Sequence, residues 1–170
     1  TRGLVKAAMA QKEMMFGKDI QRMFLPLAKD AQNRMGSTAV VQNELVDIFG
    51  YYEGARDVSG DFFDFKQLSD KYYAMIKCDV AGKGVPAALI MVQVATIFAT
   101  YFRNWTLQSP GLKLEPLANL INDMVEERGF PGRFATLILA ILNAESGQVL
   151  LCNAGDTTQR VYRQAERNLT

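Results

Sequence analysis

A chain of 170 residues is long enough for one domain with a sizeable core, and 49% apolar with 22% charged residues is ordinary for a globular protein. The net charge is +1 with Lys and Arg scattered, so neither a nucleic-acid footprint nor an anionic-membrane patch is visible and neither partner is expected. The chain has no histidine, which excludes His-activated Ser or Cys nucleophiles, His-ligated zinc and phosphohistidine chemistry, and leaves any metal to oxygen donors of the kind Mg²⁺ or Mn²⁺ prefers.

In chain order, residues 5–29 read as a helix, with Ala8, Met15, Ile20, Met23, Phe24 and Leu27 forming an irregular apolar stripe, Gly17 weakening the middle and Pro26 interrupting near the end. Such a stripe suits either a satellite helix of the core or a helix that pairs with another chain or domain. Residues 30–42, with Asn33, Gly36, Ser37 and Thr38, read as connection, so residues 1–42 are expected to be a linker or signalling segment ahead of a domain over residues 43–170. Three β-branched and aromatic runs follow, residues 45–53, 60–68 and 72–79, and a three-strand antiparallel meander is expected from them. In the third run Ala74, Ile76, Cys78 and Val80 share one face, with Tyr73, Met75, Lys77 and Asp79 on the other.

The glycine-rich turn Ala81-Gly82-Lys83-Gly84 leads into a long apolar helix over residues 85–102, with Pro86 in its first turn. The uncharged stretch of residues 84–102 nominally meets the length of a membrane span, but Pro86, Gln93, Thr96 and Thr100 favour a buried core helix. Residues 115–128 form a second amphipathic helix, with Leu117, Leu120, Ile121, Met124 and Val125 on one side and Gly129 as its C-terminal stop. Residues 134–142 and 148–153 bracket Asn143-Ala144-Glu145-Ser146-Gly147 as a second hairpin, and residues 160–163 begin a further strand ahead of a charged, unpatterned tail. Cys78 and Cys152 both fall in apolar strand-like runs, which suits reduced core residues and a cytoplasmic, reducing setting. No signal-peptide pattern opens the chain; whether a parent protein is tethered to a membrane upstream of Thr1 is left open.

The chemistry starts at the first hairpin. If its hinge, Ser69-Asp70-Lys71, is tight, residues equidistant from Asp70 face each other, and Asp61 lies opposite Asp79. Like charges directly opposed on a ladder repel, a cost that a bound divalent cation reverses. The alternative is that Asp61 caps a turn and Asp79 caps the helix that follows. The strand also delivers Asp79 to a turn before a helix N-terminus, where backbone N–H groups and the helix dipole favour an anion. Gly82-Lys83-Gly84 lacks the frame of a nucleotide P-loop.

Five segments then form an ordered set: Asp19-Ile20-Gln21-Arg22-Met23-Phe24-Leu25-Pro26, Ala55-Arg56-Asp57-Val58-Ser59-Gly60-Asp61-Phe62-Phe63-Asp64-Phe65, Cys78-Asp79-Val80-Ala81-Gly82-Lys83-Gly84-Val85-Pro86-Ala87-Ala88, Phe134-Ala135-Thr136-Leu137 and Asn153-Ala154-Gly155. From about Asp19 to Arg163 the chain resembles the SpoIIE/RsbU branch of the metal-dependent type 2C serine/threonine protein phosphatases. The resemblance implies an α+β fold, an α-β-β-α sandwich of two antiparallel sheets flanked by helices, with an N-terminal linker helix and a two-metal Mn²⁺ or Mg²⁺ site at one edge. It places metal ligands at Asp61, at Asp79 and at the backbone carbonyl of Val80, and makes the two aspartates the catalytic residues. Paired cations lower the pKa of a shared water and clamp phosphoryl oxygens for in-line displacement, so no protein nucleophile is needed. Lys83 and Gly84 are candidates for contact with the phosphate; for Lys83 the alternative is a solvated turn lysine.

The chain departs from the family pattern twice. Asp156 stands where the family commonly has His after Asn-Ala-Gly, and the later Thr-Asp-Gly and Asp-Asp motifs that supply further ligands are absent, so C-terminal truncation is expected and Asp61, Asp79 and one carbonyl would hold metal weakly. The implied function is hydrolysis of phosphoserine or phosphothreonine in a bacterial signalling protein, acting on a phosphorylated regulator of the anti-sigma factor antagonist type and receiving a signal from an upstream sensory domain. The competing function is a non-catalytic docking module that dimerises or binds a partner through the N-terminal helix.

Overall fold

The computed structural model describes residues 2–54, 57–128 and 131–169, apart from the side chains of Arg2 and Asn168; Ala55, Arg56 and the expected helix stop at Gly129 lie outside the described residues. The elements are α1 (Arg2–Arg22), β1 (Thr38–Gln42), β2 (Asp47–Tyr51), β3 (Asp61–Gln67), β4 (Tyr72–Val80), α2 (Val85–Tyr101), α3 (Glu115–Glu127), β5 (Ala135–Asn143), β6 (Gln148–Ala154), β7 (Tyr162–Arg163) and β8 (Asn168–Leu169). The fold is α+β: an antiparallel sheet in the order β3-β4-β5-β6, helices α2 and α3 against one face, and the antiparallel pair β1-β2 against the other. A short pair, β7-β8, closes the described chain.

Helix α2 forms the centre of the core. Gly84, at φ 69°, turns the chain into it and Pro86 occupies its first turn, where a missing N–H costs nothing. Ala87, Ile90, Met91, Val94 and Phe98 recur at helical spacing and are buried against Phe62 of β3, the Ala74, Ile76, Cys78 and Val80 face of β4, and Leu137, Leu139 and Ile141 of β5. The uncharged stretch is thus a core helix, and among the described residues no helix is long and apolar enough to cross a membrane. On α3, Leu117 and Ile121 are buried while Leu120, expected beside them, is half exposed, because the stripe that meets the core narrows to a spacing of four.

The hairpins follow from their turns. Between β3 and β4, Ser69 Oγ accepts from the backbone N–H of Lys71 and of Tyr72, each at 3.3 Å, while Leu68 N–H donates to Tyr72 O at 2.8 Å. Between β5 and β6, Asn143 Oδ1 accepts from the N–H of Glu145 and Ser146, and Gly147 supplies the φ of 71° that the closing residue needs.

The N-terminal part differs from expectation in three respects. Helix α1 ends at Arg22 rather than near Lys29: a residue preceding proline is disfavoured in the α region, and Leu25 and Leu27 bury their side chains from non-helical backbone instead. Residues 38–42, expected as connection, form β1, where Thr38, Val40 and Val41 supply β-branched positions and Ala39 is buried. Strand β2 does not join β3 in a meander. It pairs with β1 in register Val40↔Phe49, and the pair packs face-on: a Cβ placed on Gly50 would come within 2.2 Å of the Phe63 ring, and Asn43 Nδ2 donates to the buried Tyr73 hydroxyl at 2.7 Å. The expected boundary at residue 42 therefore falls at the end of a strand whose partner lies beyond it.

Candidate active site

The tight hinge sets the register Phe62↔Cys78 and Asp61↔Asp79, so the two carboxylates are cross-strand neighbours at the end of β3 and β4. Thr136 of β5 faces Asp79 on the other side, extending the row to Asp61, Asp79, Thr136. The N-cap of α2 is Gly84, with no side-chain cap hydrogen bond, so Asp79 does not cap this helix. The row opens into a cavity of about 360 Å³ that Ser59, Val80, Lys83, Gly84 and Phe134 also line.

Close backbone approach builds the floor of this cavity. A Cβ on Gly60 would lie 2.6 Å from the Val80 carbonyl oxygen and 3.2 Å from the Ala87 Cβ, so only glycine lets β3, β4 and the first turn of α2 converge here. Gly82, at φ 102°, leaves room for the Arg133 guanidinium, whose Nη1 donates to Ala81 O at 2.9 Å and ties the turn to the segment entering β5. Ala81 N–H reaches back to Phe134 O at 2.8 Å.

The electrostatics favour a cation. Burial pushes the Asp79 carboxyl above its ordinary pKa and the negative charge of Asp61 adds to this, against a downward pull from Lys77. Asp61 is held by Ser59, whose hydroxyl donates to Oδ2 at 2.7 Å. The oxygen-bearing side chains that line the cavity are the Asp61 and Asp79 carboxylates and the Ser59 and Thr136 hydroxyls, whereas Cys78 is buried in the core, where burial raises its pKa to about 12. This donor set fits a hard divalent cation. It is sparse: among the described residues no third Asp, Glu, His or Cys joins the pair as a metal-holding group.

The structure thus brings Asp61, Asp79, Val80, Lys83 and Gly84 around one cavity. Lys83 is exposed and, among the described residues, forms no ion pair. Sequence reasoning missed the supports. Gln21, at the end of α1 and 4% exposed, clamps the backbone of Ser59: its Nε2 donates to Ser59 O, and Ser59 N–H donates to its Oε1 at 3.0 Å. Gln21 stands beside Lys18, Asp19 and Arg22, so the local composition gave no signal that this amide is buried. Lys77, one rung along from Asp79 on the same face, donates to both carboxylate oxygens of Asp156 at 2.7 and 2.8 Å. Their separation in sequence hid the pairing.

Residues 69–170, more than half of the chain, match the family Stage II sporulation protein E (SpoIIE). The chain belongs to the SpoIIE family. It is 28% identical over 176 aligned residues to Protein IcfG of Synechocystis sp. (strain ATCC 27184 / PCC 6803 / Kazusa), covering 89% of this chain and 25% of that protein. It is 27% identical to the phosphoserine phosphatase RsbU of Bacillus subtilis (strain 168), over 84% of this chain and 40% of RsbU. The chain therefore spans well under half the length of these relatives. Among solved structures, the SiaA-PP2C domain of Pseudomonas aeruginosa superposes with a TM-score of 0.60 at 15% identity, over 86% of this chain and 54% of that one, which establishes a PP2C-like fold.

Proposed function

We propose that the chain is the metal-dependent phosphatase module of a bacterial signalling protein, hydrolysing phosphoserine or phosphothreonine on a regulatory protein of the anti-sigma antagonist type. The observation that carries this proposal is the apposition of Asp61 and Asp79 in a cavity at the N-terminus of α2, in a SpoIIE-family chain whose relative RsbU is named a phosphoserine phosphatase. Asp61, Asp79 and the Val80 carbonyl would hold Mn²⁺ or Mg²⁺, which supplies charge neutralisation for the phosphoryl group and a water of lowered pKa. Ser59 fixes the Asp61 carboxylate; the N–H groups at the start of α2 and the Lys83 ammonium attract the phosphate. Further ligands would come from outside these residues. The linker role expected for residues 1–42 falls on α1, which would join an upstream sensory domain to the site through Gln21 and Ser59. A cytoplasmic setting follows from a protein substrate of this kind. The experiment is Mn²⁺-dependent hydrolysis of a phosphoserine peptide by the full-length protein: Asp61→Asn and Asp79→Asn each abolish turnover if the assignment holds, and wild-type rates in both overturn it.

A second function is favoured by the apolar surface of α1, where Leu4, Met9, Met15, Phe16 and Ile20 are exposed and a groove of about 610 Å³ lies between α1 and α2. In that case the chain docks through α1, as a dimer or with a partner. Calorimetric Mn²⁺ titration alongside light scattering separates the two: stable dimers that bind no Mn²⁺ favour docking over catalysis.

A further inference from the structure

The face that carries Asp61 and Asp79 also carries Lys77, two residues before Asp79 on β4. Same-face neighbours on a strand are about 7 Å apart, within reach of a lysine arm. The nearest ammonium to an opposed pair of carboxylates is ordinarily drawn into it. Here it is not: Lys77 Nζ turns to Asp156, bonding both of its carboxylate oxygens.

Asp156 is built to take it. Its side chain is only 4% exposed, and Thr157 donates to Oδ1 through its backbone N–H at 2.6 Å and its hydroxyl at 3.1 Å. Its backbone N–H donates to Asn153 Oδ1 at 2.9 Å, and Asn153 Nδ2 returns a bond to Asp156 O at 3.2 Å. The carboxylate is thus oriented by its own turn, which leaves the ammonium as the mobile partner. The Lys77 side chain is 56% exposed, so the enclosed carboxylate is the fixed half of the pair and the ammonium is drawn to it. The charges of both reach Asp79, with opposite sign.

Resting on the phosphatase proposal above, we propose that Asp156 is a positioning residue: it holds the Lys77 ammonium off the Asp61–Asp79 pair, keeping both carboxylates free for a divalent cation. Without it, Lys77 competes with the cation from within the chain.

Calorimetric titration of Mn²⁺ into the full-length protein as wild type, Asp156→Asn, Lys77→Met and the double variant tests this. Asparagine keeps the oxygen that Thr157 bonds. Asp156→Asn is expected to weaken Mn²⁺ binding about tenfold, the order of one charge–charge interaction near a surface. Removing the lysine as well restores wild-type affinity. Unchanged affinity in Asp156→Asn, or a loss that the double variant does not restore, overturns the inference, the latter because a merely structural role is not rescued by deleting Lys77. A crystal structure of metal-free Asp156→Asn reads the same point without metal: Lys77 Nζ within about 4 Å of an Asp61 or Asp79 oxygen supports it, and any other position overturns it. Absence of Mn²⁺ binding in the wild type contradicts the phosphatase proposal instead.

Discussion

The sheet backed by α2 and the helix α1 use apolar residues in opposite ways. Along α2 the buried side chains meet three strands, and Met91, Val94 and Phe98 have no exposed surface. Along α1, Leu4, Val5, Met9, Met15, Phe16 and Ile20 remain exposed, and the helix is anchored at its C-terminal end: Gln21 grips Ser59, Arg22 donates to Gly36 O and stacks over Tyr52, and Leu25 and Leu27 enter the core. One region is held by packing and the other by a few polar contacts at one end. Under the proposed function, that asymmetry would suit a scaffold that carries the acidic pair and a helix that passes a signal to it.

The contrast breaks most sharply in stability. Phe98→Ala is expected to cost about 3–5 kcal/mol, read as a fall in the denaturant midpoint, because it empties the centre of the helix–sheet interface. Next is Asp64, half-buried on β3, whose pKa burial raises to about 6, with a bond from Phe65 N–H and the charge of Lys66 pulling the other way. The folded value lies above the ordinary 3.8, so the fold favours the protonated form: that stability is complete below about pH 3.8 and is lost as pH rises through 6. Asp64→Asn should therefore raise stability at pH 7 by about 2 kcal/mol, after allowance for partial exposure, and flatten its pH dependence.

Gln21→Ala sits at the join of the two regions. It should cost about 1–2 kcal/mol, since the buried Ser59 backbone loses both partners, and it should also weaken metal binding by freeing the Ser59 that holds Asp61. A stability loss with unaltered Mn²⁺ affinity would confine α1 to an anchoring role. The smallest effect belongs to Phe16→Ala on the open face of α1, within about 0.5 kcal/mol of wild type by denaturant titration. A larger cost would mean that α1 is packed in solution against something the isolated chain does not supply.

What was legible in the sequence follows the same division. The pairing of Asp61 with Asp79 could be read because a tight hinge fixes register over a short loop, and α2 because its apolar pattern is continuous. The partnership of β1 with β2 was obscured because β1 lies among turn residues and β2 is followed directly by another strand-like run, so proximity along the chain suggested a meander that face-to-face packing replaces. The Gln21 clamp and the Lys77–Asp156 pair depend on residues 38 and 79 positions apart, a distance at which side-chain identity alone carries no pairing information.

The most direct measurement is titration of Mn²⁺ into the metal-free full-length protein, followed by electron paramagnetic resonance of the free ion, for the wild type, Asp61→Asn and Asp79→Asn. Saturable binding in the wild type that is lost in each variant is the expected result, since each removes half of the opposed pair. Equal binding by all three proteins would contradict a cation site at Asp61 and Asp79.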